Sequence, residues 1–88
     1  MFRINDNKGF SITFDNGYTV SVQFGSGNYS SNYNLSMLDN MGKPMAAGLA
    51  ETALLDPNGD FVAYKDDDVQ GYQTPQDVLE LLNYASTL

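Results

Sequence analysis

The run Gly9-Phe10-Ser11-Ile12-Thr13-Phe14-Asp15-Asn16-Gly17-Tyr18-Thr19-Val20-Ser21-Val22-Gln23-Phe24 decides the fold of this chain. Phe10, Ile12 and Phe14 fall on one face of an extended strand, with Ser11 and Thr13 on the other. After the turn, Tyr18, Val20, Val22 and Phe24 alternate with Thr19, Ser21 and Gln23. Such period-two alternation marks two half-buried strands. Their register fixes the turn. A two-residue Asn16-Gly17 turn sets Phe14 opposite Thr19 and Ile12 opposite Ser21, apolar against polar along the whole hairpin. A three-residue loop, Asp15-Asn16-Gly17, instead pairs Phe14 with Tyr18, Ile12 with Val20 and Phe10 with Val22. It needs a left-handed third residue, and Gly17 adopts that conformation without steric penalty. The longer loop is expected.

The same pattern recurs at Leu55-Asp56-Pro57-Asn58-Gly59-Asp60-Phe61. Pro57 presets φ for the first turn position and Gly59 suits the left-handed one. A Pro57-Asn58-Gly59 loop pairs Leu55 with Phe61, Ala53 with Ala63, Leu54 with Val62 and Thr52 with Tyr64. Both faces of that hairpin are largely apolar, so cover on both sides is expected, from a helix and from a partner such as a second copy. Further on, Thr74 is a good N-cap, Pro75 fits the first helical position and Asp77 sits near the positive end of the helix dipole. Val78, Leu79, Leu81, Leu82 and Ala85 supply the apolar stripe. The spacing therefore predicts a single α+β domain over residues 1–88. An antiparallel sheet of two β-hairpins, about 10–24 and 49–64, is packed by one C-terminal helix, about 75–85. Residues 25–48 carry turn chemistry followed by Leu35, Met37, Leu38, Met41 and Met45, and Lys43-Pro44 ends whatever forms there.

Composition narrows the function classes. With 88 residues there is room for one core, and no cysteine or histidine is present. Disulfides, thiolate metal sites and histidine acid–base chemistry are therefore excluded. Eleven acidic residues against four basic ones give a net charge of −7. That charge repels phosphate backbones and anionic membranes and favours a basic protein partner. No stretch has the length and apolarity of a membrane span, and Met1 to Phe10 lacks a signal-peptide core, so a cytoplasmic protein is expected. The sequons Asn28-Tyr29-Ser30 and Asn34-Leu35-Ser36 then read as chance matches.

Three constellations stand out. The Gly25–Asn34 loop, with Gly25, Gly27, Asn28, Tyr29 and Tyr33, could clasp a small ligand by its backbone and aromatic side chains. Ser30 at the third glycine position sets it apart from a dinucleotide fingerprint. Asp56, Asn58 and Asp60 are spaced like the start of a calcium loop. Phe61 and Asp67 occupy the positions that need Gly and Glu, so a metal-free hairpin turn is expected and no cofactor is implied. Asp66-Asp67-Asp68 is the densest charge on the chain. With Tyr64 and Tyr72 as aromatic anchors it could engage an Arg/Lys-rich surface. No residue set supports catalysis, since serine has nothing to activate it.

The segments Gly9 to Tyr29, Glu51 to Asp60 and Asp68-Val69-Gln70-Gly71-Tyr72-Gln73-Thr74-Pro75 resemble a family of small uncharacterised proteins encoded by bacteriophages and prophages. Residues 30–48 lie outside the resemblance. In such families Trp often stands where Tyr18 and Tyr72 stand here, so both positions suit a large aromatic. The resemblance implies a phage accessory protein acting in the cytoplasm of a bacterial host cell. In that context a non-enzymatic binder that inhibits or modulates a host defence protein leads. A nucleotide-sequestering protein using the Gly25–Asn34 loop and a virion or assembly accessory are the alternatives.

Overall fold

The computed structural model describes residues 1–4, 9–24 and 48–88. Six strands and one helix follow in order: β1 (Phe2–Ile4), β2 (Gly9–Thr13), β3 (Thr19–Gln23), β4 (Ala50–Leu55), β5 (Phe61–Val62), β6 (Val69–Gln73) and α1 (Pro75–Ser86). The strands form one antiparallel sheet, β1-β2-β3-β4, with β5 and β6 sharing the far edge of β4. The helix packs on β3, β4 and β6, so the fold is α+β. No helix among the described residues is long and apolar enough to cross a membrane.

The first hairpin has the expected register, with Phe10 opposite Val22 and Ile12 opposite Val20. The Phe14 N–H donates to the Tyr18 carbonyl at 2.9 Å, and Gly17 has φ +88°. A side chain at Gly17 would also press on Pro57, because the tips of the two hairpins touch. Pairing in register sorts the side chains by face. Val20, Val22, Ala50 and Leu54 meet Leu81 and Ala85 in the buried core, with Phe10, Phe14, Tyr18 and Phe24 packed around it. The opposite face carries hydroxyls. Thr13 and Thr19 share a 2.8 Å hydrogen bond, and Gln23 Nε2 donates to Ser21 Oγ at 3.1 Å.

The second hairpin is shorter than expected. Leu55 pairs with Phe61 and Leu54 with Val62, but there the strand stops. Ala53 is paired with Val69 rather than Ala63, and Thr52 with Gln70 rather than Tyr64. Continued pairing would bring Lys65 and Asp66 alongside Glu51 and the buried Ala50, placing charge against the core. The chain instead leaves the sheet at Ala63 and resumes pairing at Val69.

Thr74 caps α1 as expected, in a full capping box. Thr74 Oγ1 accepts from the Asp77 N–H at 3.1 Å, and Asp77 Oδ2 accepts from the Thr74 N–H at 2.9 Å. Hydrogen bonding to the carboxylate from the Thr74 backbone N–H, and then from the Thr74 side chain, holds the Asp77 carboxyl below its ordinary range. Its contribution to folding is present at neutral pH and fades as the pH falls through the lowered value. The expected apolar stripe needs one correction. Leu81 and Ala85 are buried and Val78 and Leu82 pack beside them, but Leu79 is 48% exposed on the flank. The far end of the helix is tied to the first hairpin. Asn16 Nδ2 donates to the Ala85 carbonyl at 2.8 Å and the Leu88 carbonyl at 3.1 Å, while Asn16 Oδ1 accepts from the Tyr18 N–H at 3.0 Å.

Candidate functional site

The excursion between β5 and β6 carries most of the acidic candidate. Its tip is a two-residue turn: the Tyr64 N–H donates to the Asp67 carbonyl at 2.9 Å, and the Asp67 N–H returns a 3.3 Å bond to the Tyr64 carbonyl. Lys65 and Asp66, between them, have φ +52° and +71°. Positive φ at both central residues is the type I′ geometry, which is favoured by Asn-Gly rather than Lys-Asp. From below, Gln70 Nε2 donates to the carbonyls of Tyr64 and Asp67 and so holds the turn's two ends together.

Around this frame the side chains divide. Asp66, Asp67 and Asp68 are exposed, and none of them joins an ion pair among the described residues. Tyr64 does not stand free as an anchor. It is half-buried against the core and packs its ring, tilted, at 5.1 Å on that of Tyr84 of α1. Lys65 lies 5.6 Å over the Tyr64 ring and 3.8 Å from Glu80. Aromatic and cation–π contacts thus brace the turn against the helix, with an exposed ion pair of small value. Tyr72 is 58% exposed and occupies a β-bulge: two steps along β4, from Ala50 to Thr52, match three along β6, from Gln73 to Gln70. Tyr72 has φ +54°.

Local cost is concentrated here. Among the described residues, Lys65, Asp66 and Tyr72 are the non-glycine residues with positive φ. Each such conformation costs on the order of 1 kcal/mol or more. At the root of the excursion the cross-strand pair Thr52 and Gln70 leaves Thr52 Oγ1 and Gln70 Oε1 buried without hydrogen-bond partners. The turn geometry predicts that Asp66→Gly raises stability by about 0.5–1 kcal/mol, relief of the left-handed backbone outweighing the entropy of glycine. Urea unfolding checks this, and a loss of stability would show that the turn is not held as described.

The remaining candidates fare differently. Gly25, Gly27, Asn28, Tyr29 and Tyr33 lie outside the described residues, as do Leu35, Met37, Leu38, Met41, Met45, Lys43-Pro44 and both sequons. In the second hairpin, Asp56 Oδ1 accepts from the N–H groups of Asn58 at 2.8 Å and Asp60 at 3.0 Å. That carboxylate therefore organises the turn, and Gly59 takes φ +84° as the loop requires. No cluster of three or more metal-ligating side chains occurs among the described residues. Sequence reasoning missed Gln70, Glu80 and Tyr84 as partners of the excursion, since no pattern links them to residues three to twenty positions away.

Comparison of the chain with protein-family models, with curated proteins and with solved structures finds no match.

Proposed function

We propose that this chain is a non-enzymatic accessory protein of phage type that binds a host protein through the acidic excursion and inhibits or modulates it. A defence protein with a basic surface is the favoured target. The observation that carries this reading is the coincidence of strain and charge. The segment from Lys65 to Tyr72 holds three left-handed residues, Lys65, Asp66 and Tyr72, and three exposed carboxylates, on a turn braced by Gln70, Tyr64 and Tyr84. A solvated linker has no need of this costly geometry, whereas a surface that must present carboxylates in fixed positions gains by it. Charge complementarity with a basic patch would speed encounter, and the exposed Tyr72 would supply the apolar contact.

The test compares immobilised wild-type protein with Asp66→Lys/Asp67→Lys/Asp68→Lys in a bacterial host lysate, after circular dichroism shows both folded. The expected result is a protein retained by the wild type, released by rising salt and not retained by the variant. If every retained protein is held equally by both, the acidic excursion is not the binding surface.

A further inference from the structure

We infer that β1, at the opposite edge of the sheet, is a docking edge for an extended segment of another polypeptide with the pattern apolar–acidic–apolar. Among the described residues no strand lies beyond β1. The direction of its main-chain groups follows from its pairing. Met1 and Thr13 exchange both backbone bonds at 2.8 Å, so Arg3 faces Ser11 in the same way. In an antiparallel ladder the alternate residues, Phe2 and Ile4, then turn their N–H and C=O groups outward. The two residues are 74% and 78% exposed, with Phe2 reaching the Phe10 ring only at 6.5 Å between centroids. An open edge flanked by large exposed apolar side chains is a template for strand addition.

Arg3 sets the chemistry of the occupant. A strand bonded to Phe2 and Ile4 places its middle residue opposite Arg3 in a non-hydrogen-bonded pair, where side chains approach most closely. Arg3 is exposed and makes no ion pair among the described residues. It lines a groove of about 360 Å³ in which the hydroxyls of Ser11, Thr13, Thr19 and Ser21 alternate with the apolar Met1 and Leu55. A carboxylate opposite Arg3 would meet the guanidinium. Apolar neighbours on either side would cover Phe2 and Ile4. A second copy of this chain fits the edge poorly, because two-fold pairing centred on β1 sets Arg3 against its own symmetry mate.

The test uses a blocked five-residue peptide with the core Val-Glu-Val, its Val-Lys-Val counterpart, and a form of the first methylated on both valine nitrogens. Binding is followed by amide chemical shifts of the full chain. The expected result is a response centred on Phe2, Arg3 and Ile4 with the Val-Glu-Val peptide, abolished by N-methylation. Arg3→Glu should weaken that peptide about fivefold or more and reverse the preference toward Val-Lys-Val. Arg3 is exposed, so this variant is expected to fold, and its unperturbed core amides would confirm it. Equal binding of both peptides by wild type and variant, shifts away from β1, or a wild-type dimer in sedimentation that protects the Phe2 and Ile4 amides would each overturn the proposal.

Discussion

Leu81→Ala should destabilise the protein by about 3 kcal/mol, whereas Leu79→Ala, two residues away on the same helix, should cost less than about 1 kcal/mol. Leu81 is 1% exposed and packs over the face that β3 and β4 share, against Val20, Val22 and Leu54. Truncation removes its transfer free energy and leaves a cavity that the rigid sheet cannot close. A chain of 88 residues has a total stability of about 4–13 kcal/mol, so the loss is a large share of it. The twelve-residue helix cannot persist alone in water, and Leu81 is its largest fully buried side chain. Urea unfolding followed by far-ultraviolet circular dichroism measures both variants. Equal losses would mean that α1 packs by a different face.

The second large effect belongs to Asn16. Asn16→Asp keeps the oxygen that accepts from the Tyr18 N–H but removes the amide that donates to Ala85 and Leu88. A carboxylate then faces carbonyl oxygens at the negative end of the helix dipole. The expected cost at pH 7 is about 2–3 kcal/mol, combining lost hydrogen bonds with repulsion. The pH dependence identifies the cause. The introduced carboxyl titrates above its ordinary value of about 4 in the folded state, because its neighbours disfavour charge. Stability should therefore recover as the pH falls through that raised value, since the folded state then binds the proton more readily than the unfolded chain. Asn16→Ala, which removes the bonds without adding charge, should cost about 1–2 kcal/mol with no such recovery. Thermal melts of the three proteins at several pH values check this. A cost for Asn16→Asp that does not change with pH would rule out the electrostatic part.

Much of the fold was legible because its signals are local. The first hairpin announces its faces by alternation, and matching apolar to apolar selects its loop and register. The helix start is set by Thr74, Pro75 and Asp77 within four positions. Leu79 falls outside the buried stripe because five apolar residues offer a wider stripe than a sheet can cover, and only the packing of Leu81 over β3 and β4 chooses the centre. β1 is three residues long, too short for periodicity to register. β6 carries Gln70 and Gly71 where a strand pattern would show apolar residues. Its pairing is dictated by the free edge of β4 and by the need to expel Lys65 to Asp68 from a buried row. In the site, Asp66–Asp68 were visible as charge and Tyr72 as an exposed aromatic. Tyr64 was visible too, but its ring contact with Tyr84 comes from tertiary geometry, which has no counterpart in spacing along the chain.

The clip between Asn16 and the helix bears on how the protein ages. Asn-Gly is the dipeptide in which the glycine nitrogen most readily attacks the asparagine side chain, expelling ammonia to form a succinimide that water opens to aspartate or isoaspartate. The chain has two, Asn16-Gly17 and Asn58-Gly59. In the folded state the Asn16 amide is held by hydrogen bonds to Ala85, Leu88 and Tyr18, while Asn58 lies on an exposed tip where its side chain makes no hydrogen bond among the described residues. Deamidation at 58 adds charge to a surface already acidic and leaves the molecule standing. At 16 it needs an excursion to the unfolded state, and it then removes the contact that favours return. Chemical lifetime is therefore coupled to unfolding: old molecules accumulate silent damage at one tip, and those that have opened are marked irreversibly at the other.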